Sequence, residues 1–179
     1  MVTIALPEPL ACIKWLFHFT DTRNLPPIRE LGGLWSTAKL REMGVENVHP
    51  GGNQISLDAD QRFGMDQYVH LCMHSNHPME YLARQDGRIQ KTMWLIVDDA
   101  ASVLQLPGVL YCPGVANTAG IATYTIQDAA DHIDFEAHYK RLDWRIPEYQ
   151  ARRLAAEKCE ILVPDHLPLQ YFEKYLPNG

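Results

Sequence analysis

The sequence predicts an α+β domain, on three observations. Four apolar runs have the length and residue types of buried strands: Ile13 to Thr20, Tyr68 to Met73, Thr92 to Asp98 and Cys159 to Val163. Short segments between them carry helix-start and helix-stop residues. No repeat, linker or low-complexity tract divides the chain, and its 179 residues suit one domain over 1–179 with enough chain for a core. Short strands and helices mixed in this way make an α+β fold.

Each element follows from its residues. Ile13 to Thr20 (IKWLFHFT) is apolar and aromatic, hence the first strand. In NLPPIRELGG, Asn24 stands as an N-cap, Pro26 and Pro27 fall where a first turn tolerates proline, and Gly32 suits the place just past the last turn. Ser36 to Gly44 reads the same way, with Ser36 capping and Gly44 stopping a short helix. Glu46 to Asp66 is polar, contains glycine and lacks a period, so it is expected as a long loop, a kind that is usually functional or mobile. Pro107, Gly108, Pro113, Gly114 and Gly120 break residues 104–124 into turns and short strands. Asp131 to Leu142 and Pro147 to Lys158 are expected helices, and Pro164 stops the last strand.

Composition excludes several classes. The chain is 46% hydrophobic and 21% charged, near globular averages. No apolar run approaches the roughly 20 residues of a membrane span. Met1 to Leu16 is interrupted by Pro7, Glu8 and Pro9 and lacks the basic start and cleavage site of a secretory leader, so a cytoplasmic protein is expected. Cys12, Cys72, Cys112 and Cys159 are widely spaced with no CxxC, which argues for reduced thiols in a core rather than a disulfide framework or zinc ribbon. A net charge of −6 is a poor footprint for a protein that coats nucleic acid, although it allows a local grip on a short single strand.

Some residues stand out by type and place. Glu160 is a lone acid in an apolar strand, where an unpaired charge is costly. Either it has a function, or it lies on the solvent face while Cys159, Ile161 and Val163 point inward. His18 and Thr20, two apart on one strand, share a face; His18 is either a ligand or a satisfied core histidine. Asn24 is a helix cap, a ligand or both. Trp35 and Tyr68 either stack on a ligand ring or fill the core. His70, Cys72 and His74 on one strand face, with His77 nearby, make zinc or iron geometrically conceivable, but no second ligand pair has a typical spacing, so no metal is expected. Arg84, Arg88 and Lys91 around Gly87, and Lys140, Arg141 and Arg145 around Trp144, are candidate phosphate contacts or plain solvated faces.

Three blocks together resemble a known family. Phe17-His18-Phe19-Thr20, then Asn24-Leu25-Pro26 and Gly32-Gly33-Leu34-Trp35, is similar to the opening of the DarT family. Tyr68-Val69, then His77-Pro78-Met79 and Tyr81, resembles its second block, and Cys159 to Pro164 its third. The blocks come in family order and span residues 17 to 164.

The resemblance implies an ADP-ribosyltransferase fold, a split and mostly antiparallel sheet with short helices and NAD⁺ in the cleft. It implies a toxin that transfers ADP-ribose from NAD⁺ to a base of single-stranded DNA, releasing nicotinamide, and that is restrained by a macrodomain antitoxin, DarG-like, which removes ADP-ribose from DNA. Glu160 would then be the catalytic carboxylate that holds the ribose and offsets its developing positive charge. His18, Phe19, Thr20, Asn24, Trp35 and Tyr68 would contact NAD⁺. The family also uses an arginine before the second block, on NAD⁺ and on the target base. The matching position falls near Asn53 to Ser56, where no arginine stands; Arg62 is the candidate, or else a solvated loop charge. This departure leaves thymine and guanine both open as targets. The competing readings are an NAD⁺-dependent transferase acting on RNA or protein, an inactive nucleic-acid-binding relative, and a metal-binding regulatory module.

Overall fold

The apolar runs fold as the strands of one antiparallel sheet, and the polar segments between them as short helices. The computed structural model describes residues 6, 8–143 and 145–176. In chain order the elements are β1 (Leu16–Asp21), α1 (Leu25–Glu30), β2 (Gly33–Trp35), α2 (Thr37–Glu42), α3 (Gln54–Phe63), β3 (Tyr68–Cys72), α4 (Pro78–Gln85), β4 (Thr92–Val97), α5 (Ala100–Leu104), β5 (Leu110–Cys112), α6 (Ala129–His132), α7 (Phe135–Tyr139), α8 (Pro147–Ala156), β6 (Glu160–Pro164) and β7 (His166–Pro168). Among the described residues the main sheet has the order β4-β1-β3-β6-β5, and β2 pairs with β7 in a second, two-stranded sheet.

The main sheet is split. β1 pairs with β4 along six residues, from Leu16↔Val97 to Asp21↔Thr92, and β3 pairs with β6 along five, from Tyr68↔Pro164 to Cys72↔Glu160. β1 and β3 meet at a single pair, Phe17↔Cys72. Beyond that pair the two ladders part, leaving a gap in the middle of the sheet.

β6 is buried on both faces, from Glu160 to Val163. Ile161 and Val163 enter the main core with Val69, Leu71, Leu95, Val97 and Tyr111, while Leu162 packs on the other face against Cys112 and Ala116. At about 25 cal/mol per Å² of apolar area, such central side chains supply most of the driving force that fixes the register. The alternating-strand alternative for Glu160 therefore fails: that face is covered, and Glu160 is 5% exposed.

Two expected elements and one expected cap differ. The expected loop Glu46 to Asp66 contains α3, capped by the Asn53 side chain on the Ser56 N–H and closed by Gly64 in the left-handed region. The helix has no buried residue, so it lacks the apolar period by which a helix is read. The expected helix Asp131 to Leu142 is broken into α6 and α7, because Asp134 takes a cap position and accepts from the Ala137 N–H. Asn24 stands at the start of α1 but makes no side-chain cap; its amide is used elsewhere. All four cysteines are free, with Cys72, Cys112 and Cys159 buried and Cys12 exposed.

Gly33 shows how tightly β2 lies on β7. A Cβ there would fall on the Leu167 carbonyl and the His166 ring, and its φ is +154°. Gly33→Ala is expected to destabilise the protein by about 2 kcal/mol or more through overpacking; urea denaturation measures it.

Candidate active site

A cleft opens where β1 and β3 part, and sequence dictates its walls. His18, Phe19 and Thr20 come from β1, His70 from β3 and Glu160 from β6; residues 48–52 and α3 close the opposite side.

Glu160 is held by its neighbours in a definite way. Its Oε2 accepts from His70 Nδ1 at 3.0 Å and from the Ala116 N–H at 3.2 Å. Its Oε1 has only a 3.6 Å approach from the buried His77 Nε2, which has no hydrogen-bond partner. One oxygen is therefore saturated and the other is available to a hydroxyl. His70 Nε2 lies 3.0 Å from the Met65 carbonyl, so both ring nitrogens face acceptors and both donate. That is the imidazolium form. Burial alone would lower its pKa, but the charge of Glu160 and the hydrogen bond to it outweigh this, and the pKa is pushed up to about 9.

His18 spans the gap between the ladders. Its Nδ1 donates to the His70 carbonyl at 3.0 Å, as a strand partner would have done. Burial lowers its pKa, so the ring is neutral and Nε2 is left as an acceptor. Asn24 joins the two walls: its amide donates to Thr20 Oγ1 at 2.9 Å and to the His49 carbonyl at 2.8 Å, and its oxygen accepts from the His49 N–H at 3.0 Å. Phe19 packs edge-on against Trp94 with 5.5 Å between centroids. Gly51 lies so close to the Phe19 ring that a Cβ would stand 2.8 Å from it. Trp35 donates its indole N–H to the Leu31 carbonyl and stacks on His166 at 3.8 Å.

The structure thus brings together Glu160, His18, Phe19, Thr20, Asn24 and Trp35 in one cleft. Two candidates lie elsewhere. Tyr68 shares the sheet face of His70 and Glu160 but packs against Cys112, Ala116 and Leu162 and does not line the cleft, and Arg62 is exposed, its guanidinium 5.7 Å over the Phe63 ring. Among the described cleft residues there is no lysine or arginine.

The other candidates separate too. Arg84, Arg88, Lys140 and Arg145 each pair with a nearby carboxylate, and Trp144 lies outside the described residues. The histidine-rich segment does not converge on a metal: His70 turns to Glu160, while His74 lies past the end of β3 and bonds His138 at 2.7 Å. No group of three or more metal-ligating side chains occurs among the described residues. Sequence reading missed His70 as the partner of Glu160, and it missed Asp60 and Asn117 in the cleft wall. Antiparallel pairing of the Tyr-Val strand with the Glu160 strand would have found His70.

The chain is similar to known proteins in sequence and in fold. The chain matches the family described as "ssDNA thymidine ADP-ribosyltransferase, DarT" over residues 17–175. No curated protein matches it. Its fold is similar to that of Thermus sp. 2.9 DarT in complex with ADP-ribosylated ssDNA, with TM-score 0.65 and 16% identity, covering 96% of this chain and 83% of that one. The same protein in complex with NAD⁺ matches with TM-score 0.59 and 17% identity, covering 94% and 81%. Thermosipho africanus DarTG in complex with ADP-ribose matches with TM-score 0.61 and 15% identity, covering 89% of this chain and 42% of that one.

The raised pKa of His70 makes a stability prediction with a definite sign. Because it is held above its ordinary value of 6.5, the contribution of the charged ring is complete below pH 6.5 and is lost as pH rises through about 9. Thermal melts of wild type and His70→Gln across pH 6.5 to 10 should show a stability gap that narrows over that window. A gap constant with pH would mean that His70 is not charged in the folded protein.

Proposed function

The chain belongs to the DarT family of ssDNA thymidine ADP-ribosyltransferases, and we propose that Glu160, held by His70, carries its transfer of ADP-ribose from NAD⁺ to a thymine in single-stranded DNA. The observation that carries this reading is the state of the Glu160 carboxylate: buried, charge-balanced by an imidazolium, one oxygen occupied and one free at a cleft.

Scission of the nicotinamide–ribose bond sends its electron pair to nicotinamide and leaves an oxocarbenium-like ribose. The free Oε1 of Glu160 accepts a ribose hydroxyl, and the fixed negative charge offsets the positive charge as it develops. Since His70 and the Ala116 N–H hold the other oxygen before the reaction begins, little reorganisation is needed at that moment. His18 Nε2 and Thr20 offer acceptor and hydroxyl partners to NAD⁺, while Phe19 and Trp35 offer ring faces. No lysine or arginine lines the described cleft and the His70 imidazolium is committed to Glu160, so backbone N–H groups of the cleft wall are left to meet the pyrophosphate. Arg62 and Tyr68 take no part in this arrangement.

The base must reach a cleft inside the sheet, which favours single strands because no duplex need be unstacked. No helix among the described residues is long and apolar enough to cross a membrane. We place its action in the cytoplasm and pair it with a DarG-like macrodomain antitoxin that removes the modification, a partnership suggested by the similarity to Thermosipho africanus DarTG.

Wild type incubated with NAD⁺ and thymidine-containing single-stranded oligonucleotides is expected to add the mass of ADP-ribose. Glu160→Gln should reduce the rate by about 10³-fold, as expected when a preorganised charge is removed. His18→Ala should raise KM for NAD⁺ about tenfold with a smaller effect on kcat, the mark of a binding contact. Mass spectrometry and initial rates read both; no increment on DNA with wild type contradicts the assignment.

A further inference from the structure

Transfer to thymine leaves one proton unassigned. The attacking imide nitrogen carries a hydrogen, so its lone pair is free for bonding only as that proton departs. Glu160 is poorly suited to take it, because a carboxylate that stabilises a cationic ribose must remain ionised. His70 cannot take it, since both of its nitrogens already donate. His18 has an open nitrogen, but burial lowers its basicity.

The cleft holds one further acid, Asp60, on α3. Its Oδ1 is sealed from solvent and has no hydrogen-bond partner. Such an atom costs stability in a fold that gains nothing from it. The helix that carries it has no buried residue, so Asp60 is not there to fill a core. Arg62, two positions on, is directed to the solvent side.

Resting on the function proposed above, we infer that Asp60 is the catalytic base that accepts the imide proton of the target thymine. As the base nitrogen bonds to C1 of the ribose, the bond from C1 to the nicotinamide nitrogen breaks and its pair leaves with nicotinamide. The N–H pair becomes the nitrogen's bonding pair, the proton passes to the Asp60 carboxylate, and water removes it after product leaves. The two cleft carboxylates divide the work, one staying charged beside the ribose and one accepting a proton beside the base.

The groups facing Asp60 suit this task. Burial raises its pKa first; Glu160 on β6 and Asp66 in the turn before β3 raise it further, while His70 on β3 and the nearby amide of Asn117 lower it, with the outcome at about 6. A base tuned close to working pH is ionised at neutrality yet still a fair proton acceptor.

The test compares wild type with Asp60→Asn on oligonucleotides containing thymine or 5-fluorouracil, whose imide is more acidic. Asp60→Asn is expected to lower kcat on thymine by about 100-fold or more, with KM for NAD⁺ changed less than about twofold. The deficit should shrink on 5-fluorouracil. The wild-type rate should fall as pH drops through about 6, whereas the variant's rate should keep rising with pH. Replacing a half-buried carboxylate whose ionised form is disfavoured should also raise the variant's Tm at pH 7.5 by about 2 to 4 °C, the reverse of what loss of a structural contact would do. An equal deficit on both bases together with a lowered Tm, or a variant as fast as wild type, overturns the role of Asp60. A wild type that modifies no DNA instead overturns the function on which the inference rests.

Discussion

A carboxylate in the middle of a strand buried on both faces has to be balanced or it will not stay charged, and the rest of the site follows from how Glu160 is balanced. An unpaired ion there would cost several kcal/mol, and removal of one partner from such a pair typically costs about 3–5 kcal/mol. The chain meets this with two donors on one oxygen. The β3–β6 register sets His70 two residues along from the partner of Glu160, on the same face, and the turn after β5 returns the Ala116 N–H. The Met65 carbonyl, from the turn before β3, completes the second ring nitrogen and keeps His70 charged. Pairing of β1 with β3 stops after one residue pair, so the gap opens beside the free oxygen rather than elsewhere in the sheet.

The same constraint accounts for the charge distribution of the cleft. With Glu160, Asp60 and Asp66 lining it, His70 is the one side chain there argued to be cationic, and it is committed to Glu160. The overall charge of −6 has the same sign. Recognition of a nucleic acid by such a surface leans on ring stacking, main-chain contacts and the fit of one base rather than on many phosphate contacts. The lysines and arginines that sequence reading proposed for phosphates are mostly engaged with carboxylates two to four residues away in sequence, as in Arg84–Glu80 and Arg145–Asp143.

Much of the site was legible in residue order. The runs that became β1, β3, β4 and β6 carry a strand signal because they are mostly apolar and aromatic, and Glu160 was conspicuous as the lone acid of its own run. Family resemblance supplied what periodicity could not, the joint assignment of His18, Thr20 and Glu160 to one cleft. Three features were not readable. α3 hides because it buries nothing, so neither its helical nature nor the placement of Asp60 leaves a periodic trace. Asn24 has the residue type of a cap, and only the return of residues 48–52 shows its amide bound to His49 instead. His70 stands among other histidines and so suggested a metal; its pairing with Glu160 is 90 residues distant in sequence and depends on strand register alone.

The central claim is that Glu160 keeps His70 doubly protonated well above the ordinary range of a histidine. Long-range ¹H–¹⁵N correlation spectra of the ring nitrogens at pH 8, in wild type and Glu160→Gln, test it directly. The account predicts that both nitrogens of His70 are protonated in wild type and that one proton is lost when the carboxylate is replaced. A single neutral tautomer in wild type at pH 8 would contradict it, since the carboxylate would then have to be protonated or held by something other than an imidazolium.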